Sequence, residues 1–290
     1  MDLLILLTII SKLTFYLGAL FASGTVFYLE LFETNKARSS FNGRRMIILF
    51  ATIGLVSALF IFALTGAQLT GDFTGAFDPQ ILGILWHTPV GTALYLRVLG
   101  FAFIIIGFFA GRMSRIITTS SCIILLASFL SIGHVAELPN FLFPVLLVIH
   151  LIGIAIWLGI LCPLYRLSSD PLQIAITGEI AHQFGRWALY FVPVLLIAGG
   201  WLAYKLVNSF ENLVTTGYGQ TLLVKVVIVT GLLGLAALNK LRFVPALRAG
   251  DVEALKHFKS SVLVEIILVF FILAATAVLT SFQTLPEVHS

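Results

Sequence analysis

Eight apolar runs organise this chain, each divided from the next by a short polar segment. They fall near residues 3–29, 46–69, 92–111, 116–133, 142–165, 187–207, 219–240 and 259–282. Apolar runs of about 18 residues or more with few charges read as membrane-spanning helices. The pattern therefore predicts an all-α integral membrane protein with eight transmembrane helices. The connecting loops are short and leave no room for a separate soluble domain. The first run has no basic segment before it and no convincing small-residue cleavage site. It is expected to stay as a helix and not to be removed as a signal peptide.

Composition agrees with the pattern. Of the 290 residues, 59% are hydrophobic and only 10% are charged, and mean hydropathy is +1.07. So few charges cannot cover the surface of a soluble domain of this length. What charge there is alternates between loops. Lys36, Arg38, Arg44 and Arg45 lie in 33–45, Arg112 and Arg115 in the next tight turn, and Arg166 and Arg186 in 166–186. Lys240, Arg242, Arg248, Lys256 and Lys259 lie in 240–259, while loops 70–90, 134–141 and 208–218 carry no Lys or Arg. The positive-inside rule makes the first set cytoplasmic. Both termini are then expected on the periplasmic side. This asymmetry accounts for the net charge of +4 and the pI near 9.2. The basic loops meet anionic lipid of the bilayer, and nothing supports nucleic-acid binding.

An internal repeat divides the chain. HTPVGTALYLRV at 87–98 resembles TTGYGQTLLVKV at 215–226, pairing Thr88, Gly91, Leu94 and Arg97 with Thr216, Gly219, Leu222 and Lys225. The first span aligns loosely with the fifth, Gly18 and Gly24 falling on Gly153 and Gly159. Two four-helix membrane repeats, 1–135 and 136–290, are expected, both in the same orientation and so parallel. Where the second has His150 and Trp157, the first has Phe15 and Ala22. The threonines can cap the outer ends of their helices. Arg97 and Lys225 can snorkel outward or line an outer vestibule, where they would repel a cation and argue against a simple open cation pore.

Candidate chemistry gathers at 133–167, where His134 and His150 flank the loop between the fourth and fifth spans. His150, Gly153 and Trp157 share one helical face, about two turns below Pro144. An imidazole inside the membrane is a functional candidate, or else a hydrogen-bonding group to a neighbouring helix. Imidazole suits copper, zinc and haem iron. Two histidines can hold Cu(I) linearly or serve as the axial pair of a b-type haem, with Phe141, Phe143 and Trp157 as its walls. His87 and Glu137 are further outer-face candidates. His182 and His257 read as ordinary residues of the basic side, and His289 as part of a tail.

The two cysteines, Cys122 and Cys162, are each 12 residues from a histidine and lie toward the inner ends of their spans. They are either small buried residues or a soft relay below the histidines. Lys12 and Glu265 are charges within spans and need interior partners. Glu265 reads either as a hydrogen-bonded link to Asn239 or as a relay carboxylate for protons or metal. Only three methionines occur, and there is no Met-rich string of the kind many copper-handling proteins use, which counts against copper. No Ser-His-Asp set, phosphate loop, CxxC motif or ATP-binding signature appears. ATP-driven transport on this chain is excluded, and a non-enzyme is expected.

The chain resembles the copper resistance D family (CopD and PcoD, with the related YebZ proteins). The likeness rests on GHVAE at 133–137, IHLIGIAIWLGIL at 149–161, TTGYGQTLLVK at 215–225, ALNKLRFVPAL at 237–247 and SVLVEIILVFFILAATAVLTS at 261–281. Glu265 falls on the family's acidic position. The resemblance implies an eight-span bacterial inner-membrane protein that moves copper toward the cytoplasm, with His134 and His150 as the metal-handling residues. It also implies a periplasmic copper-binding partner of the CopC type, expected to be separate or absent because no such domain is fused here. The four-span HemJ-type protoporphyrinogen oxidases look distantly similar and sustain the alternative of a bis-histidine haem protein. A metal-free scaffold is a third reading.

Overall fold

The computed structural model describes residues 3–32, 42–107, 109–110, 113–132, 142–207 and 209–281. The described residues are almost entirely helical. Helices α1 (Leu3–Leu31), α2 (Gly43–Thr70) and α3 (Pro79–Trp86) lead to α4 (Pro89–Gly107) and α5 (Ser114–Ala127). The second half holds α6 (Leu142–Leu167), α7 (Ile174–Val207), α8 (Phe210–Thr215), α9 (Gly217–Leu238), α10 (Val244–Arg248) and α11 (Val252–Leu279). A π-helical segment, Asn239–Phe243, joins α9 to α10.

Seven of these helical stretches are long and apolar enough to cross a membrane. They fall on seven of the eight runs read from the sequence. The remaining run, near 116–133, forms the shorter apolar helix Ser114–Leu130. Its last turn, Ser128–Leu130, tightens to 3-10 geometry. At 1.5 Å per residue it reaches about 26 Å, slightly less than a hydrocarbon core of about 30 Å.

Helix α1 is the central post, packed on α2, α5, α6 and α11. Small residues let it approach its neighbours closely, as in membrane helix pairs generally. A Cβ on Gly18 would strike the backbone of Gly54 in α2, and one on Gly24 would strike the backbone of Gly159 in α6. Polar stitches add to this contact. Ser57 Oγ donates to Thr14 Oγ1 at 2.8 Å, and Gln68 Nε2 to Thr8 Oγ1 at 2.7 Å. Lys12 donates its ammonium to the carbonyl of Thr280, and Tyr16 and Thr280 share a hydroxyl hydrogen bond of 2.9 Å. At the basic end, Arg115 pairs with Glu30. Many large apolar side chains stay exposed, among them Leu49, Val56, Ile106, Ile197 and Phe271, as a lipid-facing surface requires.

The two Thr-x-x-Gly segments fold alike. A short helix, α3 or α8, precedes each long one. Thr88 Oγ1 accepts from the Val90 N–H at 3.2 Å, and Thr216 Oγ1 accepts from the Gly219 N–H at 3.0 Å. Gly91 lies against the backbone of Trp86, and Gly219 against that of Asn212 and Leu213. Each glycine thus admits the end of the short helix. Thr216→Ala is expected to lose about 1 kcal/mol, read as a fall of a few degrees in the melting temperature in mild detergent. An unchanged melting curve would rule out the cap as a stabilising contact.

Candidate functional site

The face of α6 that carries His150, Gly153 and Trp157 is turned toward α7. Gly153 makes room for the Leu195 side chain. His150 is half-buried, and its Nδ1 lies 3.2 Å from the Leu195 carbonyl oxygen. A carbonyl only accepts, so this contact places the imidazole proton on Nδ1 and leaves the Nε2 lone pair free. That is the tautomer a metal-ligating histidine adopts when a backbone carbonyl holds its other nitrogen. Gly199 in α7 lets the ring come close to the helix, since a Cβ there would stand 3.0 Å from His150 Cε1. Lys225, the sequence partner of Arg97 in the repeat, lies on α9.

The repeat partners of these two residues meet differently. The Arg97 guanidinium sits 4.2 Å from the centre of the Phe15 ring, a cation–π contact inside the protein. Arg97 is 8% exposed, and Phe15 also stacks on Phe129 at 5.2 Å. Phe15 holds a cation on its face, whereas His150 presents a lone pair.

His87 caps the C-terminal end of α3 and is exposed. His134 and Glu137 lie outside the described residues, as do Phe141 and His289, so the second ligand and one wall of a haem at His150 are not described, while the other two walls, Phe143 and Trp157, are buried. Among the described residues, no three His, Cys, Asp or Glu side chains gather as a metal cage. Both cysteines are free thiols, Cys122 buried and Cys162 half-buried. Cys122 lies beside Ser23 of α1, because α1 packs on both α5 and α6 and those two helices touch only briefly.

A second polar cluster lies deeper, among α6, α9 and α11. Glu265 is 4% exposed. Its Oε1 accepts from Asn239 Nδ2 at 2.5 Å, which is the link expected from the sequence. Its Oε2 accepts from Trp157 Nε1 at 3.4 Å, a contact with no signature in the sequence. Asn239 opens the π segment, closed by the Val244 N–H bonding the Asn239 carbonyl. Pro245 follows at once. It has no N–H to offer Leu241, and the helix relaxes through a wider turn ahead of it. Pro245 is the sequence signal for this feature. Trp157 stands edge-on to Phe184 and Phe191, with ring centres 6.3 and 6.4 Å away. The cluster borders a cavity of about 310 Å³.

The family model described as copper resistance protein D matches residues 178–279. The one described as copper resistance protein D-like, N-terminal domain, matches residues 1–141. The copper transport protein CutJ of Bacillus subtilis (strain 168) is 27% identical over 279 residues, covering 91% of this chain and 50% of that protein. The inner membrane protein YebZ of Escherichia coli (strain K12) is 28% identical over 221 residues, covering 72% of this chain and 73% of that protein. The chain thus spans about half the length of CutJ. No solved structure matches it.

Proposed function

This chain belongs to the copper resistance protein D family, and we propose that it carries copper across the bacterial inner membrane, from periplasm to cytoplasm. Copper is the cargo, received by His134 and His150 at the outer ends of the fourth and fifth spans, with His87 as an entry ligand. The observation that carries this reading is the contact between His150 Nδ1 and the Leu195 carbonyl oxygen. Nδ1 is committed to the Leu195 carbonyl, so Nε2 is free to donate its lone pair to a soft or borderline metal. Glu265, Trp157 and the two cysteines are the candidate relay groups further in. A periplasmic copper-binding protein of the CopC type is the proposed donor.

The proposed topology has eight spans, with Ser114–Leu130 as the fourth and both termini outside. Two features support a parallel pair of four-helix repeats, 1–135 and 136–290. The Thr-x-x-Gly segments share one local fold. Gly24 and Gly159, aligned partners in sequence, meet each other backbone to backbone, as equivalent residues do across a two-fold axis.

His150→Ala is expected to reduce cellular copper to the level of cells lacking the protein, with an equal amount of protein in the membrane. Elemental analysis of washed cells, alongside a membrane immunoblot, checks this. Undiminished copper at equal expression would sink the histidine site.

A further inference from the structure

The two halves of the chain run through their long helices in the same order, α1, α2, α4 and α5 against α6, α7, α9 and α11. They do not pack alike. In the first half α2 lies along α4, with Gly54 of α2 against the Phe101 ring of α4. In the second half α7 and α9 meet only briefly, and the cavity that borders Glu265 lies between them. The sides turned to this gap carry Gly185 and Ala188 on α7 and Ala236 and Ala237 on α9. Small residues are what let two membrane helices approach closely, yet here they face each other across a gap.

The gap is tied on either side. Toward the outer end, Val207 of α7 shares a buried cluster with Tyr218 of α9. Toward the inner end, Lys240, just past α9, donates to the Gly185 carbonyl of α7 at 3.0 Å. Pro193 sits inside α7 between these ties. It has no N–H for the Leu189 carbonyl, and a helix bends at such a point. A change of bend at Pro193 brings α7 and α9 together without breaking either tie.

Lys225 gives that movement a chemical consequence. Arg97 and Lys225 pair in the sequence repeat, and each stands eight residues past the first of its helix. Arg97 has its guanidinium 4.2 Å from the centre of the Phe15 ring. Lys225 is half-buried, and no ion pair joins it to a carboxylate among the described residues. A cation inside a span is costly and normally has a partner. His150 stands in the sequence where Phe15 does.

We infer that α7 and α9 close in a second state of the protein, and that Lys225 then takes over His150 the place that Arg97 holds over Phe15. An ammonium donates, and the Nε2 lone pair of His150 accepts. The lone pair that holds a metal ion in the open state is occupied in the closed one, and the ion is displaced. This role rests on the reading of His150 as a copper ligand. It also accounts for the asymmetry of the halves, since Phe15 has no lone pair to free and the first half stays closed.

The test uses the full chain in phosphatidylglycerol nanodiscs, with Cys122→Ala, Cys162→Ala and one added pair, Leu196→Cys on α7 and Val229→Cys on α9. These positions lie seven residues outward of Leu189 and Ala236, which line the gap from its two sides. A disulfide needs Cα atoms within about 7 Å. In the absence of any metal, molecular iodine is expected to join the pair in most of the protein. No disulfide, where each thiol alone reacts with a maleimide, would overturn closure. After the iodine is removed, the heat of binding of Ag(I), a soft ion with the charge of Cu(I), reads the role of Lys225. The closed, oxidised protein is expected to bind Ag(I) about tenfold more weakly than the chain without the added pair. Lys225→Met, which strands no carboxylate, is expected to restore binding to the closed protein, and Lys225→Arg is not. Affinity that closure leaves unchanged, or that Lys225→Met does not restore, would overturn the displacement. Ag(I) binding equal in His150→Ala and the parent chain would overturn the copper site at His150 and the role of Lys225 with it. The disulfide forms without metal, so closure is judged separately.

Discussion

Gly24→Leu is expected to leave almost no folded protein in the membrane. A Cβ at position 24 would stand 2.8 Å from the Gly159 nitrogen and 2.9 Å from its Cα, and closer still to the Ala155 carbonyl oxygen. All three are backbone atoms of α6. A crowded side chain can change rotamer, but a crowded helix backbone can only retreat. Retreat here separates α1 from α6, and with it the first half of the chain from the second. Overpacking usually costs 1–3 kcal/mol and occasionally more, and a rigid obstacle on both sides puts this site at about 3 kcal/mol or above. Gly231→Leu is the matched control, since a Cβ there meets open space. The yield of monodisperse protein and its melting temperature should collapse for the first and stay near wild type for the second. Equal behaviour of the two would mean that α1 and α6 do not cross at these glycines.

The second large effect lies at Glu265. Glu265→Leu removes the acceptor of both Trp157 Nε1–H and the Asn239 amide. Two buried donors are then stranded, at about 1–3 kcal/mol each. The melting temperature should drop sharply. Glu265→Gln keeps one acceptor oxygen for Trp157 and adds an N–H₂ that Asn239 Oδ1 can accept from once the Asn239 amide turns over. Its stability is expected within about 1 kcal/mol of wild type. If the carboxylate relays charge, copper accumulation falls severalfold in this stable variant, because an amide cannot exchange a proton. A Glu265→Gln protein that is stable and still accumulates copper would reduce Glu265 to a structural link.

Much of the fold is legible in the sequence, because a bilayer asks one simple property of a segment, a sufficient length of apolar residues. Boundaries move where another force sets them. Helix α7 begins at Ile174, well before the apolar run at 187, because its first turns bury Thr177, Gly178, Ile180 and Ala181 against α10. Such packing leaves no trace in hydropathy. Helix α3 sits in a loop yet carries its own signal, Asp78 capping Gln80 at 2.8 Å ahead of Pro79. His150 and Glu265 stand out in sequence because a polar residue inside an apolar run is conspicuous. Their partners do not. The Leu195 carbonyl is a backbone atom with no sequence signature, and Trp157 meets Glu265 across 108 residues. Pairings at that range are set by how the helices cross.

The Arg97 guanidinium has a consequence beyond packing. It is a permanent charge, about 12 Å along α4 from the first residue of that helix, and no ion pair joins it to a carboxylate among the described residues. A charge at that depth feels part of the voltage across the membrane. The full drop is worth about 2.3 kcal/mol per elementary charge per 100 mV. Any movement of α4 along the membrane normal is therefore electrically biased. An energised membrane, negative inside, draws this helix inward, and a depolarised one releases it.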